Sequence, residues 1–183
     1  MASSITTSPA VAATPGARLG VAQQILAFIE VLLLGVWLGS MIFFSFAVAP
    51  SAFAVLPTRE MAGVMVTSSI GKVEVLGLVI GTLLVILHVA NWRSRQSSRA
   101  IKTLHSALLL LMIASAGLSR FWLSPAMVSL RAQMGGQIDS VLVTDPMRVQ
   151  FNYLHQYSVG LMSAAMVSGL VVLFLAVRSW FKR

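Results

Sequence analysis

Long apolar runs organise this chain. They extend from about Val21 to Val48, Val73 to Ala90, Leu104 to Trp122 and Leu154 to Val177, and most charged residues fall between or just outside them. A helix crosses a hydrocarbon core of about 30 Å with about 20 apolar residues, and each run is of that order. Only helices and closed barrels satisfy every backbone N–H and C=O in lipid, and barrel strands alternate over about 10 residues. The pattern predicts an all-α polytopic membrane protein, a bundle of four transmembrane helices.

The flanks of the runs carry start and stop signals. Asp145-Pro146 offers an N-cap acceptor and a proline at the first helical position. A helix from there to Ser179 exceeds the bilayer core, so its first turns stand outside or it tilts. Pro57-Thr58 predicts a start at Arg59 that leads into the second span. Met127, Leu130, Met134 and Ile138 are spaced for a short surface helix between the third and fourth spans, ended by Gly135-Gly136. Residues 1–17 are rich in Ser, Thr, Ala and Pro without a charged side chain, which predicts a disordered tail ahead of a transmembrane domain over 18–183. Only Arg18 precedes the first run, and that run is long enough to span, so it reads as a retained helix and not a cleaved leader.

Composition narrows the class. The 183 residues are 57% hydrophobic and 10% charged, with mean hydropathy +0.88. Soluble domains are about a quarter charged, so this chain lacks the polar surface for life free in water. The net charge of +8 does not point to nucleic acid, because the basic residues sit between apolar runs and form no single polar face. Arg18, Arg93, Arg95, Arg99, Lys102, Arg178, Lys182 and Arg183 gather on one side. Arg59, Lys72, Arg120, Arg131 and Arg148 share the other with Glu60, Glu74, Asp139 and Asp145. The excess of basic residues predicts both termini in the cytoplasm and a bacterial inner-membrane location. Trp92, Trp122 and Trp180 suit interface anchors. No cysteine is present, which excludes disulfides, thiolate metal sites and cysteine nucleophiles. Phosphate loops, zinc-hydrolase motifs, nucleophile elbows and dinucleotide fingerprints are also missing, so the expected role is non-enzymatic, either an accessory or structural membrane subunit or a protein that handles small solutes or soft metals.

Helical periodicity sorts the rare polar side chains onto faces. Glu74, Gly77, Gly81 and His88 share a stripe on the second span. His105, Met112, Ala116 and Ser119 share one on the third, with Arg120 at its edge. Asn152, His155, Met162, Met166 and Gly169 share one on the fourth. These stripes are expected to face the bundle interior, since polar groups in lipid are costly. A Glu74–Arg120 ion pair is expected on the same ground. On the first span Glu30 aligns with Gln23, Trp37 and Met41, nearly opposite a Gly35–Gly39 ridge. That span therefore needs company on two faces, from a second chain or from an aqueous pocket beside Glu30. Small-xxx-small pairs such as Gly35–Gly39 and Gly77–Gly81 allow close helix approach within one chain or between copies, so a homo-oligomer or larger assembly is admitted.

Three chemistries are open. His155, Met162 and Met166 form an imidazole–thioether set suited to a soft metal ion such as Cu(I), although methionine also fills gaps in apolar cores. His88 and His105, near the ends of adjacent spans, match the two-helix ligation of haem b, or are simply solvated at the interface. Glu30 at similar depth could relay protons with them, or make a structural hydrogen bond. None of these patterns by itself requires a cofactor.

Two word groups carry a family resemblance. One is Trp37-Leu-Gly39-Ser-Met-Ile-Phe43-Phe44 followed by Ala49-Pro50, Phe53, Leu56-Pro57 and Ala62-Gly63. The other is Arg148-x-x-Phe151-x-x-Leu154-His155-x-x-Ser158. In this order, with Trp122 and Ser124-Pro125 before Arg131, they resemble the transmembrane protein 205-like family, a domain of unknown function numbered 4149, over about residues 20–178. The resemblance implies a four-span bundle. Through a eukaryotic relative linked to resistance to platinum drugs, it also suggests handling of soft metals. It marks Trp37, Gly39, Phe43, Pro50, Phe53, Pro57, Gly63, Arg148, Phe151, His155 and Ser158 as family positions.

Overall fold

The structure, a computed structural model, describes residues 20–92 and 98–181, with side chains as far as Arg178. The expected tail, Arg18, Arg93, Arg95, Lys182, Arg183 and the side chain of Trp180 lie outside the described residues. Helices α1 (Val21–Phe43), α2 (Ala49–Val55), α3 (Arg59–Ala90), α4 (Arg99–Leu118), α5 (Ser124–Gln133) and α6 (Pro146–Phe181) follow in order, and no strand occurs among the described residues. Four helical segments are long and apolar enough to cross a membrane: Val21–Val55, Arg59–Ala90, Arg99–Gln133 and Pro146–Arg178. The chain is an all-α, multi-pass membrane protein.

Capping chemistry fixes the helix ends. The Thr58 hydroxyl accepts from the Met61 N–H at 3.2 Å and so starts α3. Asp145 Oδ1 accepts from the Met147 N–H at 2.8 Å, with Pro146 opening α6. At the end of α5, Gly135 and Gly136 adopt φ of 70° and 82°. Their N–H groups close on the carbonyls of Ala132 at 3.0 Å and Arg131 at 2.9 Å, the paired bonds of a Schellman stop.

One expectation is corrected. The third span was expected to end near Trp122, with a separate surface helix after it. Instead α4 runs into α5 through a π-helical turn at Ser119–Leu123. Proline lacks an N–H, and its ring collides with the carbonyl four residues back. Here the wide turn comes just before Pro125 and the helix continues beyond it. The same device at Phe44–Val48 precedes Pro50 and carries the first span on to Val55.

The helices pack in a ring. α1 lies against α3, α3 against α4, α4 against α6, and α6 returns to α1. This is the up-down order that short connections favour. Leu34, Trp37, Leu84, Leu109, Met112 and Val172 are almost fully buried at its centre. Trp37 is wedged between two glycines. A Cβ on Gly77 would stand 2.5 Å from its indole Nε1, and one on Gly169 would stand 2.7 Å from its Cζ3. The stripe analysis anticipated Gly77 and Gly169 as inward positions, and here their missing side chains make room for the indole.

Length sets the vertical arrangement. Each of the two longest segments has 35 residues, about 52 Å at 1.5 Å per residue, against a hydrocarbon core of about 30 Å. Phe43, Phe46, Phe121 and Trp122 are exposed around the two π-helical turns, as an aromatic belt at a membrane interface would be. Segments of this length either extend past the bilayer core or tilt within it.

Candidate functional site

Beyond the belt, the ends of the helices and the loop 134–145 enclose a cavity of about 680 Å³. α3 brings Arg59, Glu60 and Gly63 to its wall, α5 brings Met127 and Arg131, and α6 brings Arg148, Phe151 and His155. Arg148 donates to the Val141 carbonyl and lies 3.4 Å from Asp139, which also lies 3.8 Å from Arg59. Arg131 is half-buried, with its guanidinium 5.7 Å from the centre of the Phe151 ring. Gly63 makes room for it, since a Cβ there would come within 2.9 Å of an Arg131 nitrogen. At about 1.5 Å per residue, Arg131 and Arg148 stand about 50 Å from the end of the bundle that holds both termini. The cavity is a vestibule at the opposite end, rimmed by cations and walled by aromatic rings.

The vestibule has a smaller neighbour. Ile70, Ser158 and Met162 border it and also border a chamber of about 30 Å³ deeper in the bundle, lined by Trp37, Glu74, Ser115 and Ser119 among others. Glu74 is 8% exposed and accepts a short hydrogen bond from the Ser119 hydroxyl. The other oxygen of Glu74 and the Ser115 hydroxyl are buried without a hydrogen-bond partner. The expected Glu74–Arg120 ion pair is absent: no Arg120 nitrogen comes within ion-pair distance of the carboxylate among the described residues. Arg120 is the next residue after Ser119, and successive residues on a helix point about 100° apart, so Ser119 takes the contact with Glu74 and the Arg120 charge acts on the carboxylate only from beyond ion-pair distance.

The second polar cluster lies toward the terminal end. Glu30 Oε1 stands 3.2 Å from His105 Nε2, and the His105 ring stacks on the His88 ring with centroids 4.4 Å apart and planes 11° apart. Trp92 meets His88 edge-on at 5.3 Å. All three ionisable residues are buried. Leu34, Trp37, Leu84 and Leu109 belong to the apolar core between this cluster and the chamber.

A family model described as a domain of unknown function, DUF4149, matches residues 32–136. The chain belongs to this family. No curated protein and no solved structure matches it. The matched stretch of the DUF4149 chain holds Trp37, Glu74, His88, His105, Ser115, Ser119 and Arg131. It starts just after Glu30 and stops before α6, so the Arg148–Ser158 word group lies outside it.

The word positions of this DUF4149 protein separate by place. Trp37 and Gly63 are packing positions, as described above. Gly39, Phe43, Pro50 and Pro57 are exposed, whereas Phe53, Arg148, Phe151, His155 and Ser158 line the vestibule. Of the imidazole–thioether set, His155 and Met162 both line the vestibule, Met162 at its inner end where it also packs against the apolar core, and Met166 packs against the core alone. His88 and His105, the residues that could hold a haem, come from adjacent helices and lie stacked, with centroids 4.4 Å apart and planes 11° apart. Glu30 faces the interior with Trp37 and Met41, as its alignment implied. Gly35 and Gly39 face outward with nothing within 4 Å of a built Cβ. Periodicity missed Ser115, Arg131 and the acidic pair Glu60 and Asp139. Ser115 is detectable in hindsight by its i, i+4 relation to Ser119. The other three are set by the unanticipated extension of α5 and by the loop after it.

Proposed function

We propose that this protein is a non-enzymatic handler of small solutes, with the vestibule as its solute-binding mouth. The observation that carries the reading is the cavity of about 680 Å³ whose wall is shared by four helical segments and a loop, within the range of about 300–1,000 Å³ usual for small-molecule sites. Its chemistry suggests the solute class. Arg59, Arg131 and Arg148 outnumber Glu60 and Asp139, while Phe44, Phe53, Phe151 and Met127 supply apolar wall. A carboxylate on a short apolar body fits both features, because guanidinium groups bind carboxylates through paired N–H donors. The reading sets both termini in the cytoplasm of a bacterial inner membrane, supported by Arg99, Lys102 and Arg178 at the terminal end, so the mouth faces outward. Four spans are few for a passage, and the reading pairs two copies through the outward Gly35–Gly39 ridge. A soft-metal role and the narrower kinship with transmembrane protein 205 draw less support, because Met162 and Met166 both pack against the apolar core and only His155 and Met162 share the vestibule wall.

Butyrate, butanol and inorganic phosphate are suitable probes in thermal unfolding of the purified protein in mild detergent. Butyrate should raise Tm, and the other two should not. Combined Arg131→Gln and Arg148→Gln should weaken the butyrate response at least about tenfold. Equal responses to butyrate and butanol, or none to any probe, would sink the reading.

A second reading, proton-coupled movement, draws on the 3.2 Å approach of Glu30 to His105. Glu30→Gln should flatten the pH dependence of butyrate uptake into proteoliposomes; an unchanged dependence counts against it.

A further inference from the structure

An ionised carboxylate at membrane depth needs a counter-charge, since burial without one is costly. Glu74 stands about 24 Å along α3 from the terminal end at 1.5 Å per residue, inside a hydrocarbon core of about 30 Å. No cation lies within ion-pair distance of it among the described residues, Arg120 acting on it only from farther away, and one of its oxygens is buried with no donor. Beside that carboxylate is the chamber of about 30 Å³, whose carboxylate and hydroxyl groups come from Glu74, Ser115, Ser119 and Ser158. A cavity needs about 10–15 Å³ to hold one water-sized body, so this one admits a small ion and excludes any organic solute.

The hydroxyls support the same conclusion. Ser40, Thr67, Thr82, Ser106, Ser163 and Ser168 each donate to the carbonyl four residues back, at 2.7–3.1 Å. That is the usual habit of a helical serine or threonine in an apolar setting. The two chamber serines of the third span depart from it. Ser119 donates across to Glu74, and Ser115 is buried without a partner. Donation leaves the lone pairs of the Ser119 oxygen available, and those of Ser115 are uncommitted.

We infer that the chamber binds one hard monovalent cation of the size of sodium. The Glu74 carboxylate and the hydroxyl oxygens of Ser115, Ser119 and Ser158 hold it. Oxygen donors select a hard cation, and a single carboxylate neutralises a single charge. The thioethers of Met41 and Met162 also border the chamber, and both belong to the packing of the core. The shared wall at Ile70, Ser158 and Met162 gives the ion its route from the vestibule. The assignment does not depend on the solute reading, because the ion binds whether or not the vestibule takes an organic anion.

The test uses full-length protein in mild detergent at constant ionic strength, exchanging choline for sodium, potassium or silver ions. Tm should rise saturably with sodium, and Trp37, on the chamber wall, should change fluorescence over the same range. Direct binding of radioactive sodium should follow the same curve. Glu74→Gln, which keeps the side-chain shape, should abolish all three responses, and Ser115→Ala should weaken them at least about tenfold. If Ser115→Ala fails to fold, Ser158→Ala replaces it with the same expectation. The inference is overturned if sodium and choline give the same Tm with no sodium bound. It is also overturned if Glu74→Gln retains the response, or if silver replaces sodium as the stabilising ion. A Tm that follows pH and ignores sodium would mean that a proton neutralises Glu74, and would likewise overturn it.

Discussion

At the end of the bundle that carries Val21 and Phe181, Glu30 lies against His105, and His105 against His88, in a closed stack. Toward the other end, Glu74 lies against one hydroxyl and a hollow that shares Ile70, Ser158 and Met162 with the wall of the vestibule. Both carboxylates are buried and both point inward from an apolar span. The first is answered by a side chain of its own chain. The second is answered only in part, and the remainder is left as space lined by oxygen. A buried group that is fully partnered rigidifies its surroundings, whereas one left short of partners costs free energy until a ligand supplies the rest. The closed cluster thus suits a structural or proton-handling element, and the open one suits the cation site proposed above.

The largest expected effect comes from removing the wall between them. Trp37 borders the chamber and belongs to the core that separates it from the histidines. Trp37→Ala should cost about 3–5 kcal/mol in detergent unfolding titrations, the usual range for a large aromatic removed from a core. A cost below about 1 kcal/mol would mean that the two regions are not divided by this side chain.

Next, the two carboxylates should respond unequally. Glu30→Ala leaves His105 without its acidic partner and should cost about 2–3 kcal/mol. In sodium-free buffer, Glu74→Ala removes a poorly satisfied charge and should change stability by no more than about 1 kcal/mol in either direction. Equal costs would erase the distinction between closed and open sites.

Two glycine substitutions refine it further. Gly77→Ala pushes a methyl into the Trp37 indole and should cost about 1–3 kcal/mol. Gly35→Ala meets nothing and should shift stability by about 0.5 kcal/mol or less in monomeric protein. A larger loss at Gly35, accompanied by a smaller particle in size-exclusion chromatography, would reveal a helix contact between copies.

Much of the fold was legible because lipid leaves few options. The apolar runs located the spans, and the caps at Thr58 and Asp145 and the stop at Gly135-Gly136 marked helix ends through backbone groups that need partners. The inward stripes on α3 and α4 were legible for the same reason, since a polar side chain facing lipid is costly. The pairing of those stripes was not. Periodicity says which residues share a face; it does not say at what height two faces meet, or how each helix is rotated. Glu74 met Ser119 instead of Arg120 for that reason, and His155 parted from Met166 because α6 crosses from the apolar core into the vestibule. The π-helical turns ahead of Pro50 and Pro125 also escaped it, because apolar periodicity does not show how a helix passes a proline.

The sequence by itself determined that this chain is a membrane-spanning bundle, because hydrophobic length and the demand for backbone hydrogen bonds act on each segment separately. Which polar group answers which, and where space is left over, was decided only by the tertiary structure. Those outcomes depend on the mutual height and rotation of four helices, set by side chains such as Trp37 seated between Gly77 and Gly169 on two other helices.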